Sequence, residues 1–482
     1  MSFSVSTGAP SPIDDHAPQL SDVRRYGRYV VRRFVSAARA ADRPTFRRLL
    51  IEHLGNGVHE LPVTLEQWPA YEHVNVQGAL DVILAEHGNE AEVIGVAGHR
   101  HRGPFGIADL IGDESHFGGP QPGNVTKINL PSGPGDRTRE CLSAAVILLA
   151  TQDHRMAVLL RGPDPESGLS DVTLEIIATR PDAAEHLGQR LRQLALEHNV
   201  YRGQVVSFGH SMFGERSSLL RFRERPTTSR EELILPATTF EDLRRQVVGV
   251  ARNRTRLRAA GQHLKRGMLL YGPPGVGKTH SVRYLISELV DTTVVELTGE
   301  TLHGIREACS VARALQPAMI VVEDVDLIAE ERSHYGGETP LLFTLLNEMD
   351  GLDEDADVVF LLTTNRADLL EPALASRPGR VDQAVHIPLP DRDSRRRLVE
   401  LYRGALDVDL SRIESVLERT NGVTASFLKE LLRRAAVVAA DREDQSVGTQ
   451  LQVTADDLDT SLDDLLDTRN QMTRAVLGYR DE

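Results

Sequence analysis

The stretch MLLYGPPGVGKTH, residues 268–280, constrains this chain more than any other. A short apolar run leads into glycines with the spacing G-x-x-x-x-G-K-[ST], and a helical pattern follows. Glycines let successive backbone N–H groups turn inward around a phosphate, and the helix N-terminus adds its positive end. We expect Lys278 to reach the β and γ oxygens of ATP and Thr279 to ligate Mg²⁺. The predicted nucleotide-binding residues are Gly272, Pro273, Pro274, Gly275, Val276, Gly277, Lys278, Thr279 and His280.

A second apolar run ends in acidic residues. The segment MIVVEDVD, residues 319–326, predicts a buried strand that stops at Glu323 and Asp324. Beside a phosphate loop, one such carboxylate can hold Mg²⁺ and the next can orient and deprotonate the attacking water. In the commonest version of this pair the aspartate comes first, whereas here the glutamate does. Because strand alternation fixes where each side chain points, we expect Glu323 to serve the metal and Asp324 the water.

Two later motifs supply further polar groups. The run VVFLLTTN, residues 358–365, predicts a third strand that ends at Asn365, whose amide can hold the attacking water from the other side. The loop ALASRPGR, residues 373–380, carries two arginines, and an arginine from a neighbouring subunit can neutralise charge on the γ-phosphoryl oxygens. The predicted catalytic residues are Glu323, Asp324, Asn365, Arg377 and Arg380, and the predicted metal ligands are Thr279 and Glu323.

Composition sets the broad class of the chain. With 482 residues, 26% charged and 40% hydrophobic, it is long enough for roughly two to four domains. Its formal charge of −15 disfavours nonspecific binding to nucleic acid. Two cysteines are too few for a disulfide framework, no apolar run approaches the ~20 residues of a membrane span, and the N-terminus has no signal-peptide core. The predicted location is therefore the cytoplasm, without a transmembrane segment.

The order of the patterns predicts an α/β fold in which a parallel sheet with a helical lid follows a separate α+β N-terminal region. Clustered Gly and Pro predict a linker at 111–140, and strands alternate with helices from Leu233 to about residue 390. The expected divisions are a flexible arm (1–20), an N-terminal helical and mixed region (21–110), the linker (111–140), an α+β N-domain (141–232), a nucleotide-binding domain (233–390), a helical lid (391–442) and an acidic C-terminal tail (443–482).

In their order, these motifs resemble those of one family. The segments YGPPGVGKT, the strand with the acidic pair, LLNEMDGL, TTN and SRPGRVD with IPLPD are similar to those of the AAA ATPases, a branch of the AAA+ superfamily. The resemblance covers residues 235–442. It implies a P-loop AAA+ sheet with a helical lid, and a homo-oligomeric ring, most often hexameric, with active sites at subunit boundaries. It also implies that Asn365 is the first sensor and that Arg377 and Arg380 are paired arginine fingers.

Two details depart from the usual family pattern. A Glu-Asp order similar to that of Glu323 and Asp324 occurs in a subgroup resembling the mitochondrial translocase of the Rieske iron–sulfur protein. That subgroup hydrolyses ATP, so the predicted site is active with the two roles exchanged. Asp326, one strand repeat further on, is the alternative base. In the lid, Gly422 and Ala425 of NGVTASFL lie where the family usually has GFSGADL.

A third departure concerns the central pore. Unfoldases of the family place an aromatic residue and a glycine in a pore-facing loop after the second strand. Here the candidate loop, residues 301–304, reads Thr-Leu-His-Gly and has no aromatic, although His303 is an alternative. The segment SHYGGET offers Tyr335 as a second pore element. The sequence therefore weakens the case for processive threading and leaves remodelling of a folded or assembled partner open.

Three functions of different classes remain open. The leading hypothesis is a ring-forming AAA ATPase whose N-terminal region, residues 1–232, recruits a protein substrate or partner. The rival is a nucleotide-gated assembly switch, in which hydrolysis only resets the oligomeric state; the missing pore-loop aromatic favours it. A nucleic-acid motor is supported by an arginine-rich helix predicted at 23–48 and opposed by the net charge.

Overall fold

A computed structural model describes residues 45–98, 105–112, 119–164, 168–209, 219–330, 341–368, 370, 380–442 and 450–467. The predicted arm at 1–20, most of the arginine-rich helix, Tyr335 and Arg377 lie outside these residues. The described chain contains two large sheets and a small helical domain. None of its helices is long and apolar enough to cross a membrane.

The first sheet, called here the N-terminal sheet, is antiparallel. Its strands are β1 (Val63–Trp68), β2 (Ala91–Ala97), β3 (Gln121–Gly123), β4 (Thr126–Pro131), β5 (Thr138–Ala150), β6 (Arg155–Arg161) and β7 (Val172–Ala178). They lie in the order β1-β7-β6-β5-β2-β3, and β4 also pairs with β5. With 13 residues, β5 is long enough to pair with β4 at its start and β2 at its end, on the edge opposite β6.

Helices cover both faces of the N-terminal sheet. They are α1 (Phe46–Leu54), α2 (His73–His87), α3 (Ile107–Ile111) and α4 (Pro181–Glu197), with short 3₁₀ turns at Val58–Glu60, Ala70–Glu72 and Gly88–Glu90. One face packs on α2 and α4, and the other on α1 and α3. Because both faces are buried, strands such as β5 read as continuous apolar runs rather than alternating ones.

The predicted linker at 111–140 is wrong, because this segment contains β3, β4 and the start of β5 of the N-terminal sheet. Its Gly and Pro occupy positions that strands tolerate. Pro122 lies in β3 at the edge of the sheet, where a missing N–H costs little. Gly123 faces Ala97, and a Cβ at that glycine would come within 2.6 Å of the alanine Cβ. The sheet therefore joins the two regions that the prediction had separated.

The second sheet, called here the phosphate-loop sheet, is parallel except for one strand. Its strands are β8 (Val205–Gly209), β9 (Leu219–Arg223), β10 (Arg266–Tyr271), β11 (Thr293–Leu297), β12 (Ala318–Val322), β13 (Val358–Thr364) and β14 (Gln383–His386). They lie in the order β14-β10-β13-β12-β11-β8-β9, with only β9 antiparallel to its neighbour. The predicted boundary near residue 233 is thus too late, because β8 and β9 belong to this sheet.

Helices pack on both faces of the phosphate-loop sheet, as a parallel sheet requires. They are α5 (Ala237–Arg244), α6 (Val250–Ala259), α7 (Lys278–Glu288), α8 (Ile305–Ala314), α9 (Val325–Glu330) and α10 (Leu341–Asp350), with a π turn at Arg245–Gly249 and a 3₁₀ helix at Gly299–Gly304. All five residues of β12 and all seven of β13 are buried, so the polar residues that follow these strands stand at the edge of an apolar core.

The N-terminal sheet meets the phosphate-loop sheet through aromatic side chains. Tyr201 lies in the loop before β8, stacks on Phe222 with ring centroids 5.2 Å apart, and donates its hydroxyl to the carbonyl of Tyr71 at 2.8 Å. Beside them, the half-buried carboxylate of Glu72 accepts hydrogen bonds from two asparagine amides, and its partial burial raises its pKa. The two sheets therefore share one continuous core at this junction.

The segment after β9 runs along the helix that follows the phosphate loop. Arg225 donates to four carbonyls: Ile286 and Leu289 at the end of α7, Thr292 before β11, and Gly203 before β8. A cation at the C-terminal end of a helix is stabilised by the helix dipole. At the same end of α7, Ser287 donates to the carbonyl of Thr228, and near the start of the helix His280 donates to the carbonyl of Glu232. We call residues 223–236 the strap.

The lid is larger than predicted. Its elements are α11 (Arg392–Arg403), β15 (Asp407–Val408), α12 (Ile413–Arg419), α13 (Ala425–Arg442), β16 (Gln452–Val453) and α14 (Ala455–Leu466). The last two belong to the predicted acidic tail, yet Leu458, Leu462 and Leu465 of α14 are buried against α13. The prediction of a tail from 443 onward is wrong for 452–466, because most acids of α14 lie on its outer face while leucines form the inner one.

Candidate nucleotide-binding site

The phosphate loop has the conformation that its glycines allow. It connects the end of β10 at Tyr271 to the start of α7 at Lys278. Gly275 and Gly277 adopt φ values of 77° and 107°, which side chains with a Cβ rarely adopt. Gly277 directly precedes α7, so the first N–H groups of that helix face the loop. This region of backbone is suited to bind the phosphates of a nucleotide.

Lys278 is the cation of the loop. It is only 7% exposed, and its ammonium donates to the carbonyls of Gly272 and Pro273 at 2.8 Å and to Asn365 Oδ1 at 2.7 Å. Burial lowers the pKa of this ammonium, while the nearby charges of Asp324 and Asp326 oppose the shift. The contact with Asn365 brings the end of β13 to the phosphate loop.

Thr279 and Glu323 meet at the same place. The threonine hydroxyl donates to Glu323 Oε2 at 3.0 Å. Glu323 still follows the line of β12, because its N–H donates to the carbonyl of Leu297. Burial raises the pKa of its carboxyl, the hydrogen bond from Thr279 opposes the shift, and Asp324 adds to it. Two hard oxygen donors beside a phosphate loop fit Mg²⁺, which takes few protein ligands when a phosphate supplies others.

Asp324 leaves the line of the strand. Its φ is 52°, the left-handed region that aspartate and asparagine enter more readily than other side chains with a Cβ. Its N–H donates to Thr363 Oγ1 at 3.1 Å, and its exposed carboxylate accepts from Asn365 Nδ2 at 3.2 Å. The two acids thus point to different partners: Glu323 to Thr279, and Asp324 to Asn365.

Asp326, the alternative base in the sequence prediction, faces elsewhere. It is 8% exposed, and its Oδ1 accepts from the hydroxyl of Thr364 at 2.8 Å and from the N–H of Asn365 at 3.3 Å. Its contacts are therefore with the end of β13. The sequence did not predict the roles of Thr363 and Thr364. Their only signal was their position between an apolar strand and Asn365.

The lid touches the phosphate loop through the start of α13. The N–H of Ser426 donates to the carbonyl of Gly275 at 3.1 Å, and a Cβ at Gly275 would lie 2.8 Å from the serine Oγ. Gly422 and Ala425, the residues singled out by the sequence, lie in the turn and first position of this helix, and Gly422 has a φ of 76°. Ser426 was not predicted, because a serine at the second position of a helix has no distinctive spacing.

His280 and Arg380 are not directed at this site. His280 donates to a carbonyl of the strap, as described above. Arg380 lies near the start of β10, at the opposite end of that strand from the phosphate loop, with its carbonyl against Gly267. Its guanidinium, 10% exposed, forms a two-pronged ion pair with Asp350, in which Nε lies 2.8 Å from Oδ1. Within this chain it takes no part in the nucleotide site; Arg377 lies outside the described residues.

The candidate pore loop packs against the phosphate-loop sheet. Residues 301–304 belong to the 3₁₀ helix at Gly299–Gly304, in which Leu302 is 4% exposed. A Cβ at Gly304 would lie 3.4 Å from the ring of Phe208 in β8. Strand β8 thus packs directly on this segment.

Comparison with known proteins identifies the part of the chain that carries this site. Residues 268–389 match the family described as "ATPase family associated with various cellular activities (AAA)". The match begins in β10 and includes the phosphate loop, the acidic pair, Asn365 and the arginine loop.

Relatives share this region and its surroundings. The ATP-dependent zinc metalloprotease FtsH 2 of Sphaerobacter thermophilus is 35% identical over 216 residues, covering 42% of this chain and 33% of that protein. The proteasome-activating nucleotidase of Thermococcus onnurineus is 28% identical, covering 52% and 65% respectively. The cell division cycle protein 48 homolog of Archaeoglobus fulgidus is 34% identical, covering 38% and 26%. The chain thus spans less than two thirds of the length of each of these relatives.

AAA ATPase domains use ATP with Mg²⁺, which agrees with the phosphate loop and with the paired oxygens of Thr279 and Glu323. The chain therefore contains an AAA ATPase domain, with relatives among the FtsH proteases, the proteasome-activating nucleotidases and the Cdc48 proteins.

Proposed function

We propose that this protein hydrolyses ATP in a homo-oligomeric ring, the hexamer that the family resemblance implies, and that it uses the cycle to remodel a protein recruited by its N-terminal region. One observation carries the proposal. Lys278, Asn365 and Asp324 form an unbroken series of contacts beside the Thr279–Glu323 pair. A phosphate loop, two oxygens for a metal, and a carboxylate held by an amide are the groups that hydrolysis of a phosphoanhydride needs.

Each residue has a separate task in this proposal. Lys278 binds the β and γ oxygens of ATP in exchange for its present carbonyl partners. Mg²⁺, held by Thr279 and Glu323, would neutralise charge on the phosphate oxygens. Asp324 orients the attacking water and accepts its proton, and Asn365 holds the same water through its amide. The backbone supports this division, because Glu323 stays in the strand ladder while Asp324 turns out of it. Kinship with the subgroup of the Rieske-protein translocase remains a prediction from the residue order.

The arginines would complete a neighbouring site rather than their own. Arg380 is held by Asp350 at the far end of β10, so a role at a nucleotide requires the nucleotide of another subunit. We propose the same for Arg377, in line with the family resemblance. Hydrolysis would then depend on assembly, because each site needs a residue from its neighbour.

The strap supplies a path from the N-terminal region to the nucleotide. Arg225 joins Gly203, next to the junction core, to the end of α7, and α7 begins with the lysine of the phosphate loop. A displacement of the N-terminal sheet would therefore be transmitted to α7, the helix that carries Lys278 and Thr279. In return, a change at the phosphates would reach the recruited partner. The cytoplasm remains the predicted location.

The printed names of the relatives support protein as the substrate class. One is a protease and one activates the proteasome. We propose only the class for this chain, because the matched parts cover a fraction of those proteins.

ATP turnover at several protein concentrations tests the proposal. We expect the rate per subunit to rise with concentration as rings form, and Lys278→Ala to lose both ATP binding and turnover. Lys127→Ala is the matched control, because Lys127 is an exposed lysine of the N-terminal sheet that pairs with Glu140. A wild-type protein that binds ATP but fails to hydrolyse it at any concentration would contradict the proposal.

A nucleotide-gated assembly switch is the second candidate. The buried Leu302 and the close packing of Gly304 on Phe208 favour it, because a segment pinned in this way is poorly placed to grip and pull a polypeptide. Addition of an unfolded protein to the assembled ring separates the two functions. Faster turnover supports remodelling, whereas slow turnover that ignores the added protein, together with nucleotide-dependent assembly, supports the switch.

A further inference from the structure

Asp326 is a buried carboxylate with no task in the mechanism above. It lies in the first turn of α9, two residues after Asp324, and is 8% exposed. Burial of a carboxylate costs free energy unless hydrogen bonds replace its water shell. Here two donors do so, the Thr364 hydroxyl at 2.8 Å and the Asn365 N–H at 3.3 Å. Both donors belong to the end of β13, so this carboxylate ties α9 to that strand.

The hydrogen-bond network leaves little freedom at the strand end. Thr364 has one hydroxyl hydrogen, which goes to Asp326, and its oxygen accepts the N–H of Arg366 at 2.9 Å. The backbone is thereby held on both sides of Asn365. A strand would otherwise fray at this point, because its ladder ends and its last N–H groups have no strand partner.

The side chain of Asn365 depends on that backbone. Its Oδ1 accepts from Lys278 at 2.7 Å and its Nδ2 donates to Asp324 at 3.2 Å. The two distances lie at opposite ends of the usual hydrogen-bond range, so a shift of about 1 Å in the asparagine would break at least one of the bonds. A misplacement of this size in a reacting group can cost about 10²-fold in rate.

We propose that Asp326 is a positioning residue for ATP hydrolysis: through Thr364 and the Asn365 N–H, it fixes the asparagine amide between the phosphate-loop lysine and the attacking-water carboxylate. The inference rests on the proposed function. We do not assign Asp326 as the base, because its Oδ1 accepts from the Thr364 hydroxyl and the Asn365 N–H, whereas Asp324 is the carboxylate that the Asn365 side chain contacts. It acts on the reaction only through Asn365.

A double-mutant cycle tests this dependence. The variants are Asp326→Ala, Asn365→Ala and the double variant, measured as kcat and KM for ATP in the full chain. We expect Asp326→Ala to lower kcat about 10- to 100-fold with KM within about threefold of wild type. In the Asn365→Ala background, the same change should lower kcat by less than about threefold. Effects on kcat that multiply in the double variant would overturn the proposal.

Two further variants separate positioning from general destabilisation. Asp326→Asn keeps an oxygen acceptor for both donors, so we expect it to retain kcat within about tenfold; loss of all turnover would mean a direct role for the charge and would overturn the proposal. Thr364→Val removes the hydroxyl at nearly constant shape. If Asp326→Ala does not fold, a second cycle of Thr364→Val with Asn365→Ala replaces the first, and we expect its effects on kcat to be non-additive too. Additivity in this second cycle would also overturn the proposal.

Asp457 provides the matched control. It is a buried aspartate of the lid that accepts from the hydroxyl and the N–H of Thr454, both at 2.8 Å, so it has the same kind of contacts far from the nucleotide. Asp457→Ala should lower the Tm while kcat stays within about twofold of wild type; an equal loss of kcat would make the effect of Asp326 merely structural. If the wild-type protein fails to turn over ATP, the proposed function falls first. If it turns over ATP and the cycle is additive, only the positioning role falls.

Discussion

Exchange of the acidic pair to the commoner order should damage this site rather than improve it. The change is the double substitution Glu323→Asp with Asp324→Glu, which keeps the net charge and both carboxylates. Position 324 has a φ of 52°. Aspartate is tolerated there better than glutamate, because its short polar side chain can bond to nearby backbone. We therefore expect Asp324→Glu to lower the free energy of unfolding by about 1 kcal/mol.

The reach of each side chain changes by one methylene. Glu323 Oε2 lies 3.0 Å from Thr279 Oγ1. An aspartate at 323 would end about 1.5 Å short of this contact, too far for a hydrogen bond. A glutamate at 324 would overshoot the 3.2 Å contact with Asn365 by a similar distance. Since misplacement by about 1 Å can cost 10²-fold, we expect kcat of the exchanged variant to fall at least 100-fold.

The assay compares wild type, the two single variants and the exchanged pair. Steady-state ATP hydrolysis gives kcat, and urea unfolding gives stability. Asp324→Asn serves as the backbone control, because asparagine also accepts positive φ and should keep wild-type stability. An exchanged variant that hydrolyses ATP as fast as wild type, with unchanged stability, would refute the reasoning that local geometry selects the Glu-Asp order.

Three further predictions concern other parts of the molecule. Glu323→Gln should keep ATP binding but raise the Mg²⁺ concentration needed for half-maximal turnover, measured by magnesium titration; an unchanged requirement would argue against a metal role. Glu72→Gln should remove a pH dependence of stability. Burial raises the folded-state pKa of Glu72 above its ordinary value of 4.5, so the wild-type protein loses stability as the pH rises from 4.5 through the folded-state pKa. Urea unfolding at several pH values should show this loss in wild type and not in the variant. Arg225→Met should lower the free energy of unfolding by about 2 kcal/mol, because four carbonyls lose a charged hydrogen-bond donor. Amide hydrogen exchange should become faster at the end of α7, and unchanged protection there would count against the strap as a link.

The nucleotide site was predictable because its chemistry is local in the sequence. The spacing around Lys278 fixes a strand, a loop and a helix, and the carboxyl ends of parallel strands meet at one edge of a sheet. The contacts of Thr279 with Glu323 and of Asn365 with Lys278 follow from that arrangement.

The errors arose where distant segments pair. Strand β8 was assigned to the N-terminal domain, because nothing in QVVSF reveals that it pairs with β11, which lies about ninety residues later. The Gly and Pro of 111–140 signal turns, but edge strands tolerate them too. The acidic residues of α14 outweigh its leucines in composition, although the leucines decide its packing. The left-handed backbone at Asp324 has no sequence signal beyond the aspartate itself.

The measurement that tests the central claim most directly is steady-state ATP hydrolysis over a range of protein concentrations, with wild type and Asp324→Asn side by side. The account predicts a wild-type rate per subunit that rises with concentration, and a variant that binds ATP and assembles as wild type does but turns over ATP at least 100-fold more slowly. Turnover that persists in Asp324→Asn and is lost instead in Asp326→Asn would contradict it, because the roles of the acids would then be displaced by two residues.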